Sequence, residues 1–210
     1  MPPPAPERRA RTPQSERVEA TQRKIIESAL ALLRDGGVKA ATLQAIARGA
    51  EVSLGAVQHH FESRDALMER LVEEVMEPLG DQGSVWPDKS LPLQERAEQF
   101  VQRAWRHIFG SPNYTVAWNL FFGCKSIPTL FEMVSRKRTL VDQGFYDQFL
   151  ATFPEVKRHP HPQGVAALVF ASLRGAGVQE LFAVDAAEKE GSLQVLADCI
   201  VQAGRAGTAE

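Results

Sequence analysis

Residues 42–61, TLQAIARGAEVSLGAVQHHF, decide how the rest of the chain is read. Leu43, Ile46, Ala47 and Ala50 recur at i, i+3, i+4 and i+7, one face of a helix, and Thr42 stands where an N-cap belongs. Glu51-Val52-Ser53 reads as a tight turn, with Ser53 capping a second helix from Leu54 to about Phe61. Val52, Val57 and Phe61 are its core anchors. The small residues Ala47, Gly55 and Ala56 predict a close crossing of the two helices, as a helix-turn-helix requires. Leu54, Gln58, His59 and His60 then face outward, on a helix short enough to enter a DNA major groove. Any helical hairpin in a bundle can show this spacing, so the flanking chain has to choose between a DNA reader and a core hairpin.

The flanks are helical too. Ile25, Ile26, Ala29, Leu30 and Leu33 mark one face of a helix from about Glu19 to Arg34, and Asp35-Gly36-Gly37 supplies its glycine stop. Ser63 is placed to cap a fourth helix, with Asp65 in its first turn and Leu67, Met68, Leu71, Val75 and Leu79 along it. Before all this lies a Pro- and Arg-rich arm to about residue 17, without the apolar residues needed to build a core.

Composition sets the outer bounds. The chain has 210 residues, 44% of them hydrophobic, which suits a globular protein of one or two domains. Its net charge of −2 argues against a nucleic-acid binder, but the charge is unevenly spread. Residues 1–70 carry 11 Lys/Arg against 9 Asp/Glu, whereas the remainder carries 13 against 17. No uninterrupted apolar run approaches the roughly 20 residues of a membrane span, so no membrane partner is expected. The N-terminus lacks the apolar core of a signal peptide, which makes a cytoplasmic address the default. Cys124 and Cys199 are too few and isolated for a disulfide framework or a zinc site, and read as buried, reduced thiols.

Gly37, Thr42, Ile46-Ala47, Val52-Ser53, Gly55, His60-Phe61, Arg64 and Leu67 together fit one spaced pattern. Through these positions the segment from about residue 20 to 70 resembles the DNA-binding domain of the TetR family of bacterial transcriptional regulators. The resemblance implies that Thr42, His60 and Arg64 hold the DNA backbone, while Ser53, Leu54, Gly55, Ala56 and His59 lie where the family faces the bases. Two positions depart from the pattern. Glu51 replaces the usual turn glycine and must tolerate whatever backbone angle the turn needs. Gln58 replaces a tyrosine, and its amide can bond a phosphate oxygen or pair with adenine. Adjacent His59 and His60 diverge by about 100° on a helix, so they do not form a metal pair.

Past a Pro/Gly-punctuated connector at Gly80–Pro92 that contains Trp86, five more helices are expected. They run from about Leu93 to Phe109, from Pro112 onward with Tyr114, Trp118, Phe121 and Phe122, from about Pro128 to Phe153, from about Gln163 to Val184, and from about Gly191 to Ala206. The run Arg136-Lys137-Arg138 reads as a solvated face, and His159-x-His161, with no third ligand nearby, as a loop cap. Aromatic stripes of this kind pack a core or line a cavity. The resemblance favours an inducer pocket, with Trp105, Trp118, Phe121, Phe122 and Phe131 as walls and His107, Tyr114 and Asn119 as polar groups. It also makes the last two helices, at about 163–184 and 191–206, a four-helix homodimer interface.

The chain is therefore expected to be all-α, with about nine helices: a flexible basic arm (1–17), a three-helix helix-turn-helix DNA-binding domain (18–62), and a larger helical ligand-binding and dimerisation domain (63–210). The expected partners are a double-stranded DNA operator, a small-molecule effector and a second copy of the chain. No cofactor, metal or catalytic group is expected, since HExxH, Glu-x-x-His pairs, phosphate loops and Gly-x-Ser-x-Gly are all missing. Two rival classes remain: a helical protein-interaction module with a degenerate DNA-binding head, and an all-α enzyme.

Overall fold

Helix α1 (Gln14–Ala40) buries Ile25, Ile26, Ala29 and Leu33, the face marked by the sequence periodicity. It comes from a computed structural model that describes residues 14–80, 85–125, 127–182 and 184–206. Most of the expected basic arm lies outside the described residues, and its last positions, from Gln14, already belong to α1. The glycine stop falls at Gly37, whose φ of 66° and ψ of −169° break the helix in a region open essentially to glycine alone. The few residues beyond it leave in a new direction toward the next helix.

Helices α2 (Leu43–Gly49), α3 (Leu54–His60) and α4 (Arg64–Gly80) begin where the sequence placed their caps. The Thr42 hydroxyl accepts the Ala45 N–H at 3.2 Å, Ser53 accepts that of Ala56 at 3.1 Å, and Ser63 accepts that of Ala66 at 3.0 Å. Each such cap satisfies an N–H that the helix itself leaves unpaired. Of the small residues expected at the crossing, Ala47 is buried and Ala56 half-buried, whereas Gly55 is exposed and meets little beyond Ser53. The close approach is between α1 and α2. A Cβ on Gly49 would lie 2.4 Å from Ser28 Oγ, which donates to the Ile46 carbonyl at 3.0 Å.

The remaining helices are α5 (Leu93–Ala104), which continues as a π-helical turn at Trp105–Phe109, α6 (Pro112–Cys124), α7 (Pro128–Thr152), α8 (Pro162–Gln179) and α9 (Ala186–Ala206). Among the described residues there is no strand, and the fold is all-α. One apolar core joins α1–α4 to Val116, Leu120 and Cys124 of α6 and to Leu130 and Val134 of α7. A boundary near residue 62 therefore falls inside a core that α4 and α6 share with the head. A second core gathers Phe100, Phe149, Phe153 and Phe170 from α5, α7, its following residue and α8, with Ala197 and Ile200 of α9 against it.

Several local expectations change. Helix α9 starts at Ala186, a turn before Gly191, because Asp185 Oδ1 accepts the N–H groups of Ala187 and Glu188 at 2.9 and 3.1 Å. The first turn of α9, Ala-Ala-Glu-Lys, buries no large apolar side chain, so apolar periodicity could not reveal it. The connector is partly core, with Val85 buried and Trp86 stacked on Phe100 at 5.1 Å. Arg96 is buried at 3% exposure, paired with Glu155 and donating to the Lys89 carbonyl at 2.6 Å. His159 acts as a loop cap, its Nδ1 accepting the His161 N–H at 3.0 Å. Of the three glycines in α8, only Gly177 is pressed by another element, since a Cβ there would stand 2.5 Å from the Phe109 carbonyl oxygen.

Candidate nucleic-acid interface and effector cavity

The turn between α2 and α3 is a Schellman motif. Val52 N–H donates to the Ala47 carbonyl at 3.0 Å and Glu51 N–H to that of Arg48 at 3.2 Å, which satisfies two carbonyls at the end of α2. This geometry requires a left-handed residue, and Glu51 takes it with φ 56°. Ser53 then ends the turn by capping α3. Val57 and Phe61 anchor α3 on the inner side, while Ser53, Gly55, Gln58 and His59 are exposed and Leu54, Ala56 and His60 half-buried. The exposed positions leave this short helix open to a partner on its outer side. Thr42 stands exposed at the start of α2.

Arg64 has a second task that spacing did not reveal. Its guanidinium donates to the Val38 carbonyl at 3.1 Å, tying the start of α4 to the segment beyond the α1 kink. Val38 is also the seat of α6, since a Cβ on Gly123 would lie 2.0 Å from a Val38 methyl. Farther along, Asn119 Nδ2 donates to the Leu33 carbonyl at 3.2 Å and Arg34 reaches Asn113 Oδ1 at 3.4 Å. Helix α6 thus lies along α1 and meets the head at three points.

The eight residues proposed for an effector pocket do not converge on one space. Tyr114, Trp118 and Phe121 line a cavity of about 50 Å³ between α6, α7 and α8. His107 and Tyr114 line an adjoining one of about 220 Å³ toward α1 and α4. Trp105 instead faces a groove between α5 and α9, with Lys189 Nζ 5.5 Å from its ring centre. Asn119 is turned toward α1, Phe122 is 65% exposed and Phe131 41% exposed, so these three stand apart from the cavity. A helical wheel gives the angle of a side chain but not which neighbour fills the space beyond it.

The cavity's polar wall was not anticipated. Arg174 pairs with Asp142 at 2.8 Å, and Arg138 approaches the other carboxylate oxygen at 3.5 Å. The run expected to be solvated is open to water at Arg136 and Arg138 and half-buried at Lys137, which pairs with Glu73 of α4 at 3.0 Å, while Arg138 also borders the cavity. One signal was available: Arg174 is the sole charge in the apolar sequence of α8. The Tyr114 hydroxyl is buried without a hydrogen bond of normal geometry. Burial pushes its pKa up to about 12, against the pull of Trp118 and of the Arg174 and Arg138 charges. Cys124, also buried, is pushed up to about 11 by desolvation. No cluster of three or more metal-binding side chains occurs among the described residues.

Comparison with known proteins agrees with the geometry of the head. Residues 25–71 match the model of bacterial regulatory proteins, tetR family. Over 188 residues the chain is 27% identical to the HTH-type transcriptional regulator CymR of Pseudomonas putida, covering 86% of this chain and 88% of that one. A solved member of the TetR family from Streptomyces coelicolor A3 superposes with a TM-score of 0.63 at 19% identity, over 85% of this chain and 97% of that one. The multidrug binding protein EbrR, solved in complex with imidazole, gives a TM-score of 0.59 at 18% identity, over 85% and 93%. Residues 25–71 thus match the DNA-binding head of the tetR family of bacterial regulatory proteins, and the whole chain is similar in sequence and fold to regulators of that kind. The relatives it matches are DNA-binding regulators of transcription.

Proposed function

We propose that the protein is a ligand-responsive repressor that binds a palindromic operator as a homodimer and is released when a small apolar or aromatic effector enters its helical domain. The observation that carries this reading is the uncovered apolar face of α8 and α9. Leu168 of α8 is 65% exposed and Val195 of α9 60%, and Phe182, in the turn after α8, is 77% exposed. The stretch Pro162–Phe182 is long and apolar enough by composition to cross a membrane, yet little of it is buried in the single chain. Arg174 and its ion pair to α7 count against a lipid neighbour, and a helix pair of the same kind is the natural cover. The groove between α8 and α9, about 680 Å³ and floored by Gly175, Ala176 and Gly191, admits a close partner helix.

In this reading the head (18–62) serves the domain at 63–210, and two-fold symmetry sets two α3 helices in successive major grooves. Ser53, Leu54, Gly55, Ala56, Gln58 and His59 face base edges or nearby phosphates, and Thr42 and His60 the backbone. Arg64 has five N–H donors, one of which is spent on Val38, leaving others for a phosphate. Repression follows if the bound dimer obstructs transcription, and a cytoplasmic address goes with that role. Movement of α4 and α6 would alter the spacing of the heads, because both are seated on α1 or on the segment after its kink. An effector acts only by binding the two conformations with different affinity.

The test is selection of bound fragments from sheared genomic DNA by the purified protein at near-physiological salt. Recovery of an inverted repeat supports a dimeric operator binder. Weak retention that modest salt abolishes, without a shared sequence, would sink the repressor reading and leave a protein-interaction module.

A further inference from the structure

The polar wall of the α6–α8 cavity has a definite charge. Arg138 and Arg174 share one carboxylate, Asp142, so two guanidinium groups and one anion face an aromatic space. Arg174 and Asp142 are sheltered, with side chains 18% and 22% exposed, and their charges act more strongly there than in water. Beside them the buried Tyr114 hydroxyl has a donor without a partner, and a buried polar group in that state is costly. The other walls are Trp118, Phe121 and Phe145. A cationic ligand would meet excess positive charge, and a neutral one would leave both Arg138 and Tyr114 underused. A ligand with a flat apolar body and one negative charge answers every feature.

We propose that the effector is an aromatic carboxylate, its ring between Trp118, Phe121 and Phe145 and its carboxylate accepting from Arg138, Arg174 and the Tyr114 hydroxyl. This rests on the effector role proposed above for the helical domain. The cavity of about 50 Å³ holds little more than water, well below the ~300 Å³ of ordinary ligand sites. The 220 Å³ space next to it shares Ile108, Tyr114 and Ala117 as a common wall. Tyr114 is the partition, and its hydroxyl proton is donated to no protein group that would hold it in place. An acid entering from the Arg138 side therefore joins the two spaces by displacing Tyr114 on α6, the helix seated on α1. Ligand entry and strain on the head are then one event.

The experiment uses the full-length protein without DNA. Benzoate, phenylacetate and 2-naphthoate are each titrated against the matching uncharged amide, with tryptophan fluorescence and calorimetry as readouts. At least one acid is expected to bind about tenfold or more tightly than its amide, the factor expected for one charge-assisted hydrogen bond. Arg138→Gln, at a half-exposed position that should not disturb folding, should remove most of that ratio by weakening the acid far more than the amide. Asp142→Asn should tighten acid binding by releasing both guanidinium groups. Equal binding of acid and amide, an unchanged ratio in Arg138→Gln, or no saturation by any of the three acids at millimolar concentration would each overturn the assignment. A separate mobility-shift arm on the recovered operator keeps the two readings apart. Acid binding without operator release refutes the effector role but not the site, and loss of acid selectivity with intact operator binding refutes the site but not the regulator.

Discussion

Replacing Glu51 by glycine should make the protein more stable. Glu51 holds φ at 56° because the Schellman turn after α2 requires a left-handed residue there. A residue with a Cβ costs roughly 1–2 kcal/mol in that conformation, and glycine is free of the clash. Glycine also gives the unfolded chain more freedom, an opposing contribution of about 0.4–1 kcal/mol. The net expectation for Glu51→Gly is a gain of about 1 kcal/mol. In a chain of this size that is roughly 2–4 °C in Tm, compared at fixed protein concentration because the protein is proposed to dimerise. Glu51→Gln keeps the Cβ and removes only the charge, so its stability should not move. On DNA the two variants should behave alike, both binding more tightly at low salt as a carboxylate leaves a phosphate-facing surface. The assays are thermal melts and mobility shifts over a salt series. A Tm for Glu51→Gly at or below that of the parent would refute the strain argument. Tighter DNA binding by Glu51→Gly but not by Glu51→Gln would refute the electrostatic one.

Three further outcomes can be checked. Arg96→Ala strands Glu155 and the Lys89 carbonyl and should cost about 3 kcal/mol in denaturant unfolding, whereas Arg96→Met with Glu155→Leu should recover most of it; a loss under about 1 kcal/mol would mean the pair is unimportant. Cys124 is buried with a pKa pushed up to about 11, whereas Cys199 lines the open α8–α9 groove. At neutral pH a thiol reagent should spare Cys124 and label Cys199 only as dilution separates the proposed dimer, and immediate labelling of Cys199 in concentrated protein would exclude that interface. For Tyr114 the folded value of about 12 lies above the ordinary 10, so the neutral phenol contributes its full stability below pH 10 and loses it as pH rises toward 12. The stability difference between parent and Tyr114→Phe should therefore fall by up to about 3 kcal/mol from pH 9 to 12, and a constant difference would show that Tyr114 titrates normally.

How far the sequence could be read depended on the range of the interaction concerned. The caps at Thr42, Ser53 and Ser63, the Gly37 stop and the anchors Val57 and Phe61 are set by contacts a few residues apart, so their spacing alone defines the helices. Glu51 was marked as the residue that must accept the turn's angle for the same local reason. The start of α9 was legible only through Asp185, because its first turn buries no apolar stripe. Long-range pairing was not legible. Gly49 against Ser28, Gly123 against Val38 and Arg64 on the Val38 carbonyl join residues that only the tertiary structure brings together.

The effector cavity divides along the same line. Tyr114, Trp118 and Phe121 sit on one helix at a helical period, so their spacing alone shows that they share a face. The same periodic reading yields the all-α class, the helix-turn-helix and the apolar terminal pair. That Asn119, Phe122 and Phe131 lie elsewhere, and that Arg138, Asp142 and Arg174 close the cavity, follows from how the helices pack on one another. A periodic pattern fixes the direction of a side chain about its own axis, whereas a pocket depends on how two other helices cross beyond it. That crossing is set by packing volumes and ion pairs spread over the whole chain.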